Sequence, residues 1–220
     1  MPRTVLSREA IVDAAFLLLA EGGLEAITAR ALAARLGVQA GALYYHLRDM
    51  AALRDEMATR VVGRMMTGAG QAVGMDWRTL LRALAHSERG LLLEYSDGAR
   101  LVSGTFLTDD DALRAIEKPL SALVSEGFSP VHAQRALSTM NAFVIGYVIE
   151  EQQRREAGET GYTTEQRQSR LDPQKQPLSY AVSAEVVELP EESFDWGVEA
   201  LIAGIGSHAS GITRSQARDS

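Results

Sequence analysis

Between Thr28 and Leu47 the chain has room for two short helices and almost nothing between them. Thr28 suits an N-cap, Ala31, Leu32 and Leu36 share one face of a helix through Leu36, and Gly37 supplies the left-handed residue that ends it. A second short helix fits Ala40 to Leu47. In it Leu43 and Leu47 stand four apart and turn the same way, leaving Gly41, Ala42, Tyr44, Tyr45 and His46 on the other side. Upstream, Ser7 can cap a helix with Ile11, Ala14, Ala15, Leu18 and Leu19 at i, i+3, i+4, i+7 and i+8, closed by Gly22-Gly23. The spacing predicts a helix-turn-helix whose second member is short enough to enter a major groove. It fits equally an ordinary small bundle in which the tyrosines only cap a core.

Asp49 can cap the next helix, where Leu53, Met57, Val61 and Met65 recur every four residues over a length that outruns a three-helix module. This helix is expected to link two domains. Further helical stretches are predicted over about 77 to 94, 109 to 125, 130 to 156 and 193 to 208, separated by Gly, Pro and Ser/Thr signals. Residues 157 to 190, rich in Gln, Arg, Ser and Pro, read as a long mobile loop with room for one short helix. The expected fold class is all-α, with a head over residues 1–48, a larger helical body over 49–210 and a flexible tail over 211–220.

The net charge of −7 at first speaks against nucleic acid, because Lys and Arg supply most non-specific affinity for phosphate. Its distribution removes the objection. In residues 1–50, Arg3, Arg8, Arg30, Arg35 and Arg48 balance Glu9, Asp13, Glu21, Glu25 and Asp49, so the excess acid lies in the body. With no cysteine, the chain has no disulfide, thiolate zinc site or cysteine nucleophile. His46, His86, His132 and His208 never approach His-Glu-x-x-His spacing, and no Ser, His and Asp arrangement marks a nucleophile. No catalytic residue, metal ligand or cofactor is expected. No apolar run approaches the roughly 20 residues of a membrane span, so no membrane partner and a cytoplasmic location are expected. Gly68-Ala69-Gly70 follows no strand and reads as a helix stop rather than a nucleotide loop. Asp109-Asp110-Asp111 reads as carboxylates complementing a helix N-terminus, and Glu150-Glu151 as solvated or interfacial side chains.

The run Ile27-Thr28-Ala29-Arg30-Ala31-Leu32-Ala33-Ala34-Arg35-Leu36-Gly37-Val38, followed by Ala42-Leu43-Tyr44-Tyr45-His46-Leu47, resembles the DNA-binding segment of the tetracycline repressor (TetR) family. Asp97-Gly98-Ala99-Arg100, Gly104-Thr105, Glu126-Gly127-Phe128-Ser129, Gly146 to Gln152 and Trp196-Gly197-Val198-Glu199 resemble the regulatory domain of the family's tetracycline-binding members. The likeness covers nearly the whole chain, the stretch around 157 to 190 excepted. It implies a homodimeric, ligand-responsive transcriptional repressor on palindromic operator DNA, whose body binds a small-molecule effector and dimerises.

On this reading Thr28, Arg30, Gln39, Ala40, Gly41, Ala42, Tyr44, Tyr45 and His46 face DNA. Val62, Met66, Leu84, Glu88, Leu92, Val102, Thr105, Phe106, Asn141 and Tyr147 are expected to line the ligand cavity. Leu137, Met140, Val144 and Val148, with Gly197, Ala200, Leu201 and Gly204, are expected at the dimer interface.

Departures from the family pattern alter what the resemblance implies. Val102 stands where a tetracycline site needs a magnesium-binding histidine, and Val62, Leu84 and Glu88 stand where His, Asn and an aromatic are expected. A largely apolar effector other than magnesium-tetracycline is therefore expected. Ala40, Gly41 and Ala42 replace bulkier, more polar residues and Met50 replaces a lysine, so the operator should differ too. The competing expectations are a helical-bundle enzyme or small-molecule carrier without DNA binding, and an activator or constitutive DNA-binding protein without a ligand.

Overall fold

The computed structural model describes residues 6–69, 75–104, 110, 114, 116–157 and 163–216, and among them every regular element is a helix. The head holds α1 (Arg8–Gly22), a single 3-10 turn (Leu24–Ala26), α2 (Ala29–Leu36) and α3 (Ala40–Leu43). The body holds α4 (Met50–Ala69), α5 (Trp77–Leu93), α6 (Gly98–Val102), α7 (Glu117–Ser125), α8 (Pro130–Ala157), α9 (Thr164–Gln168), α10 (Pro177–Ala181), α11 (Ser183–Glu188) and α12 (Glu191–Gln216).

The helix ends follow from side chains that satisfy the orphan backbone groups. The Ser7 hydroxyl accepts from the Ala10 N–H at 3.1 Å, Thr28 from Ala31 at 3.1 Å, Asp49 from Ala52 at 2.7 Å, and Asp76 from Arg78 and Thr79 at 3.0 and 3.3 Å. At the other end of α2, Gly37 adopts φ 67°, and the Val38 N–H reaches back to the Ala33 carbonyl at 3.0 Å. Gly127 (φ 96°) repeats this device after α7, where the Phe128 N–H bonds the Leu123 carbonyl at 3.2 Å and the Phe128 ring meets Trp77 edge-on.

The core runs without a break from head to body. Ile11, Ala15, Leu19, Leu32 and Leu43 fill the head, and Leu53, Met57 and Val61 of α4 carry the apolar seam onward to Leu81, Ala85 and Leu92 of α5. Across α5 lies α8, whose Ala133, Ala136, Met140, Val144 and Val148 all point into this core. Phe194, Val198 and Ile202 of α12 close it. Arg89 ties α5, α8 and α12 together, making a two-pronged ion pair with Glu151 (2.9 and 3.1 Å) while its guanidinium lies 4.7 Å over the Phe194 ring.

Several expectations change. The stretch read as a loop with one short helix contains three: α9, opened by a capping box between Thr163 and Gln166, then α10 and α11. The stretch predicted helical from 109 falls partly outside the described residues, and α7 begins at Glu117. Residues 211–216, expected in a flexible tail, continue α12, and 217–220 lie outside the described residues. Glu151, expected solvated or interfacial, is buried because Arg89 and Arg155 both bind it.

Candidate functional site

In the head, α3 has only four regular residues. Tyr44, Tyr45 and His46, expected inside the helix, form its closing turn, with the His46 N–H bonded to the Leu43 carbonyl at 2.9 Å. The side-chain division still follows the spacing. Leu43 and Leu47 are buried, while Gln39, Ala40, Gly41, Tyr44, Tyr45 and His46 are exposed and Ala42 is half-buried. Tyr45 is 90% exposed, a large ring that packs on nothing in its own chain. A Cβ added at Gly41 meets no atom within 4 Å, so nothing inside the protein demands glycine there. Arg8, Arg35 and Arg48 spend their charge on Glu56, Glu21 and Asp49. Arg30, one residue into α2 beside the exposed cap Thr28, has no acidic partner among the described residues and keeps its full charge for an anion. The tip of the molecule thus presents a short helix with small residues first and hydroxyl and imidazole groups after, beside one uncommitted guanidinium. Such a surface suits close approach to base edges flanked by phosphates.

The body holds a half-open cavity of about 280 Å³. Val62 and Met65 of α4, Leu84 and Glu88 of α5 and Val102 of α6 form one side. Ile116 and Pro119 cover one end, and Gln134, Leu137, Ser138, Asn141 and Ile145 of α8 form the opposite wall. The walls are mainly apolar, with amide and hydroxyl groups confined to α8. Glu88 is the exception on the apolar side. Its Oε1 is shut off from solvent and has no hydrogen-bond partner among the described residues, and this desolvation pushes its pKa up to about 8. Among the described residues no group of three or more His, Asp or Glu is placed to hold a metal ion.

Val62, Leu84, Glu88, Val102 and Asn141 of the expected ligand set thus meet around one space. Leu92 does not join them, being sealed in the core, and neither does Tyr147, whose ring packs against Phe143 and Phe194 while its hydroxyl donates to the Pro190 carbonyl at 3.1 Å. Thr105, Phe106 and the Met66 side chain lie outside the described residues. Leu137, expected at the dimer interface, lines the cavity instead. Met140, Val144 and Val148, at 2%, 0% and 0% exposure, are spent on the chain's own core and have no surface to offer a partner. Gly197 is also used internally, because a Cβ there would stand 2.4 Å from Phe143 Cζ. Leu201 is half-buried, and Ala200 and Gly204 are exposed. One face round on α8, Ala142 and Gly146 are exposed, as are Trp196 and Ala200 of α12. Met65, Ile116, Pro119, Gln134, Ser138 and Ile145 were missed as cavity residues. Four of the α8 set, Gln134, Ser138, Asn141 and Ile145, carried a signal in their spacing of three to four along one face.

Contacts through α4 and through Asp97 join head and cavity. The first half of α4 packs on α1, with Arg60 bound to Asp13 at 2.7 Å, while its second half supplies Val62 and Met65 to the cavity. Asp97, left-handed at φ 55°, accepts the buried Leu24 N–H at 2.9 Å and so fastens the turn after α1 to the start of α6, whose far end is Val102. Gln152 of α8 braces this corner, donating to the Leu92 and Tyr95 carbonyls at 3.1 and 2.7 Å and accepting from the Ala99 N–H at 3.3 Å.

Two family models match the chain: "Bacterial regulatory proteins, tetR family" over residues 11–57 and "Tetracyclin repressor-like, C-terminal domain" over residues 71–208. The chain is 36% identical over 203 residues to the class A tetracycline repressor from transposon 1721 of Escherichia coli, covering 92% of this chain and 91% of that one. Among solved structures, a possible TetR family transcriptional regulator from Streptomyces coelicolor A3(2) superposes with a TM-score of 0.81 at 30% identity, covering 91% of this chain and 99% of the other. The class A repressor in complex with 5a,6-anhydrotetracycline and magnesium superposes with a TM-score of 0.66 at 30% identity, covering 92% and 99%.

Proposed function

The chain belongs to the TetR family of ligand-responsive transcriptional repressors, which bind operator DNA as homodimers, and from that premise we propose how its own residues divide the work. Thr28, Arg30 and residues 39 to 46 read the operator, the 280 Å³ cavity takes the effector, and α4 with the Asp97 corner carries the message between them. The observation that carries this reading is that α4 is one unbroken helix with its first half in the head and its second half in the cavity wall. A ligand that displaces Val62 or Met65 tilts the same rod on which α1 rests. Binding releases DNA only to the extent that the ligand prefers the tilted arrangement, since the equilibrium moves by the difference of its affinities for the two states.

Dimerisation sets the geometry of the target. Two heads on a two-fold axis meet successive major grooves about 34 to 36 Å apart, so the operator is palindromic. The surface we assign to the partner is Ala142 and Gly146 of α8 with Trp196, Ala200 and Gly204 of α12. These small residues let helices approach closely, and a Trp196 ring 76% exposed in one protomer gains cover there. The effector is a compact, largely apolar molecule. Val62, Leu84 and Val102 provide no nitrogen or oxygen ligand from their side chains, so magnesium-tetracycline is a poor match for this wall. The matching relatives are regulators, and no residue is assigned a catalytic part.

A fluorescence anisotropy titration of the full chain against its own promoter region tests the reading. Sequence-specific binding that weakens steeply with salt is expected, and its absence refutes the repressor assignment.

A further inference from the structure

Among the described residues Glu88 is the one carboxyl on the wall of the effector cavity, and its Oε1 meets no hydrogen-bond partner there. Its neighbours on α4, α5 and α6 are Val62, Met65, Leu84 and Val102, and the facing wall offers Gln134, Ser138 and Asn141. Among the described residues no Lys, Arg, His or second acid lines the cavity from any of these helices or from α7. The nearest arginine in sequence, Arg89, points to the other side of α5 and is bound to Glu151. A carboxyl buried without a partner destabilises the protein that holds it, and a side chain of Gln or Leu would fill the same volume at lower cost. What stands there is an acid with no counter-charge among the described residues of the cavity.

We propose that the cavity takes a lipophilic amine, whose ammonium group pairs with the Glu88 carboxylate while its hydrocarbon body lies against Val62, Leu84 and Val102. The inference rests on the reading of this space as the effector site and names the chemical class that fits it. An anion finds no cation in these walls and meets the one carboxyl instead. A neutral apolar molecule offers the carboxyl no donor and leaves Oε1 unsatisfied. An ammonium supplies both a charge and N–H donors to a carboxyl partly withdrawn from water, so the charge-assisted bond is stronger than at the open surface. The empty site is mostly protonated near neutral pH, given a pKa pushed up to about 8 by burial. Seating a protonated amine therefore sends the Glu88 proton to the solvent, leaving a carboxylate and an ammonium in contact. Below the carboxyl pKa, affinity for the amine accordingly rises with pH, approaching tenfold per unit.

The test uses the full-length protein and three probes on one ten-carbon cage: 1-adamantylmethylamine, 1-adamantylmethanol and adamantane-1-carboxylate. Isothermal titration calorimetry near neutral pH is expected to show the amine binding at least tenfold more tightly than the alcohol and no binding of the carboxylate. Repetition in buffers of different ionisation enthalpy is expected to show close to one proton released per amine bound. In Glu88→Gln the preference for amine over alcohol is expected to collapse while the affinity for the alcohol stays as it was. Equal affinities for amine and alcohol, absence of proton release, survival of the preference in Glu88→Gln, or no binding of the amine at all overturns the proposal. The proton count on the wild-type protein decides the matter even where the variant fails to fold. Operator binding is measured separately without any probe, so failure here leaves the DNA reading standing and failure there leaves this measurement intact.

Discussion

Replacing Asp97 with alanine takes away the one hydrogen bond that the described residues offer to the buried Leu24 N–H, at a point where the head meets the body. The bond runs from a main-chain donor to a carboxylate with 6% exposure, so its loss together with the stranded N–H costs about 1.5–3 kcal/mol. Asp97 also sits at φ 55°, a conformation that Asp tolerates and alanine resists by roughly 1 kcal/mol. Its pairing with Arg100 at 3.1 Å adds little, since that arginine is partly in water. The sum is about 3 kcal/mol for Asp97→Ala. Asp97→Asn, which keeps an acceptor and tolerates the same backbone, should cost about 1 kcal/mol.

The lost contact links two parts of the molecule, so the cost should fall unevenly between them. Both tryptophans, Trp77 and Trp196, lie in the body, and their fluorescence follows that part alone. Far-ultraviolet circular dichroism follows the helices of both. In urea the two signals should coincide for the wild type, whereas in Asp97→Ala the dichroism should begin to fall at lower denaturant as the head loosens first. A variant within about 0.5 kcal/mol of wild type, or one whose two signals still coincide, refutes the assignment of Asp97 as the fastener between head and body.

Other outcomes follow from the same geometry. Gly41→Leu should leave stability unchanged or slightly raised, since the new side chain enters open space and Gly is a poor helix residue, yet weaken operator binding about tenfold or more; unchanged anisotropy curves would remove α3 from the DNA contact. Arg30→Ala should reduce the slope of log affinity against log salt by about 0.9 if the guanidinium meets phosphate, and an unchanged slope with lost sequence preference would place it on a base. Gly146→Glu adds a side chain that meets nothing in its own chain, so it should yield a folded monomer by sedimentation, and a persisting dimer would move the interface off that face. Glu88 has its pKa raised from 4.5 to about 8 in the folded protein, which means the folded state holds the proton that the unfolded chain has released. Between those two values stability should therefore fall as pH rises, by up to about 1.4 kcal/mol per unit, and Glu88→Gln should flatten the decline in thermal melts.

The parts of this fold that the sequence made legible are those governed by local rules. Ser7, Thr28 and Asp49 act as caps and Gly37 as a left-handed terminator because each needs only its immediate neighbours to do so. Leu43 and Leu47 turned inward as their spacing required, and the exposed set on α3 followed by subtraction. The short helices after α8 were hidden for the complementary reason. α9, α10 and α11 contribute just one buried residue, Ser183, so they carry no apolar stripe, and caps, turns and surface hydrogen bonds such as Thr164 to Glu188 and Arg154 to the Val186 carbonyl hold them in place. The helix α6 likewise depends on a long-range bond from Asp97 to Leu24, which no window of sequence contains.

The body's surfaces were harder to read because α8 serves three of them at once. A stripe repeating every three to four residues fixes that a face is buried without saying against what. Met140, Val144 and Val148 form a regular stripe on that helix, which the family resemblance assigned to a partner chain, whereas they are buried in the chain's own core. The cavity wall, Gln134, Leu137, Ser138, Asn141 and Ile145, is one face round and mixes polar with apolar residues, which blurs any periodic signal. The exposed face, Ala142 and Gly146, is marked only by small size. Each function therefore weakens the pattern by which a sequence announces burial, and the face with the cleanest pattern is the one with no ligand or partner to serve. Glu88 is the extreme case of the same rule. On α5 it breaks an apolar neighbourhood with a charge, and the break is visible in the sequence, but its meaning depends on which described residues of four other helices face it, none of them a counter-charge.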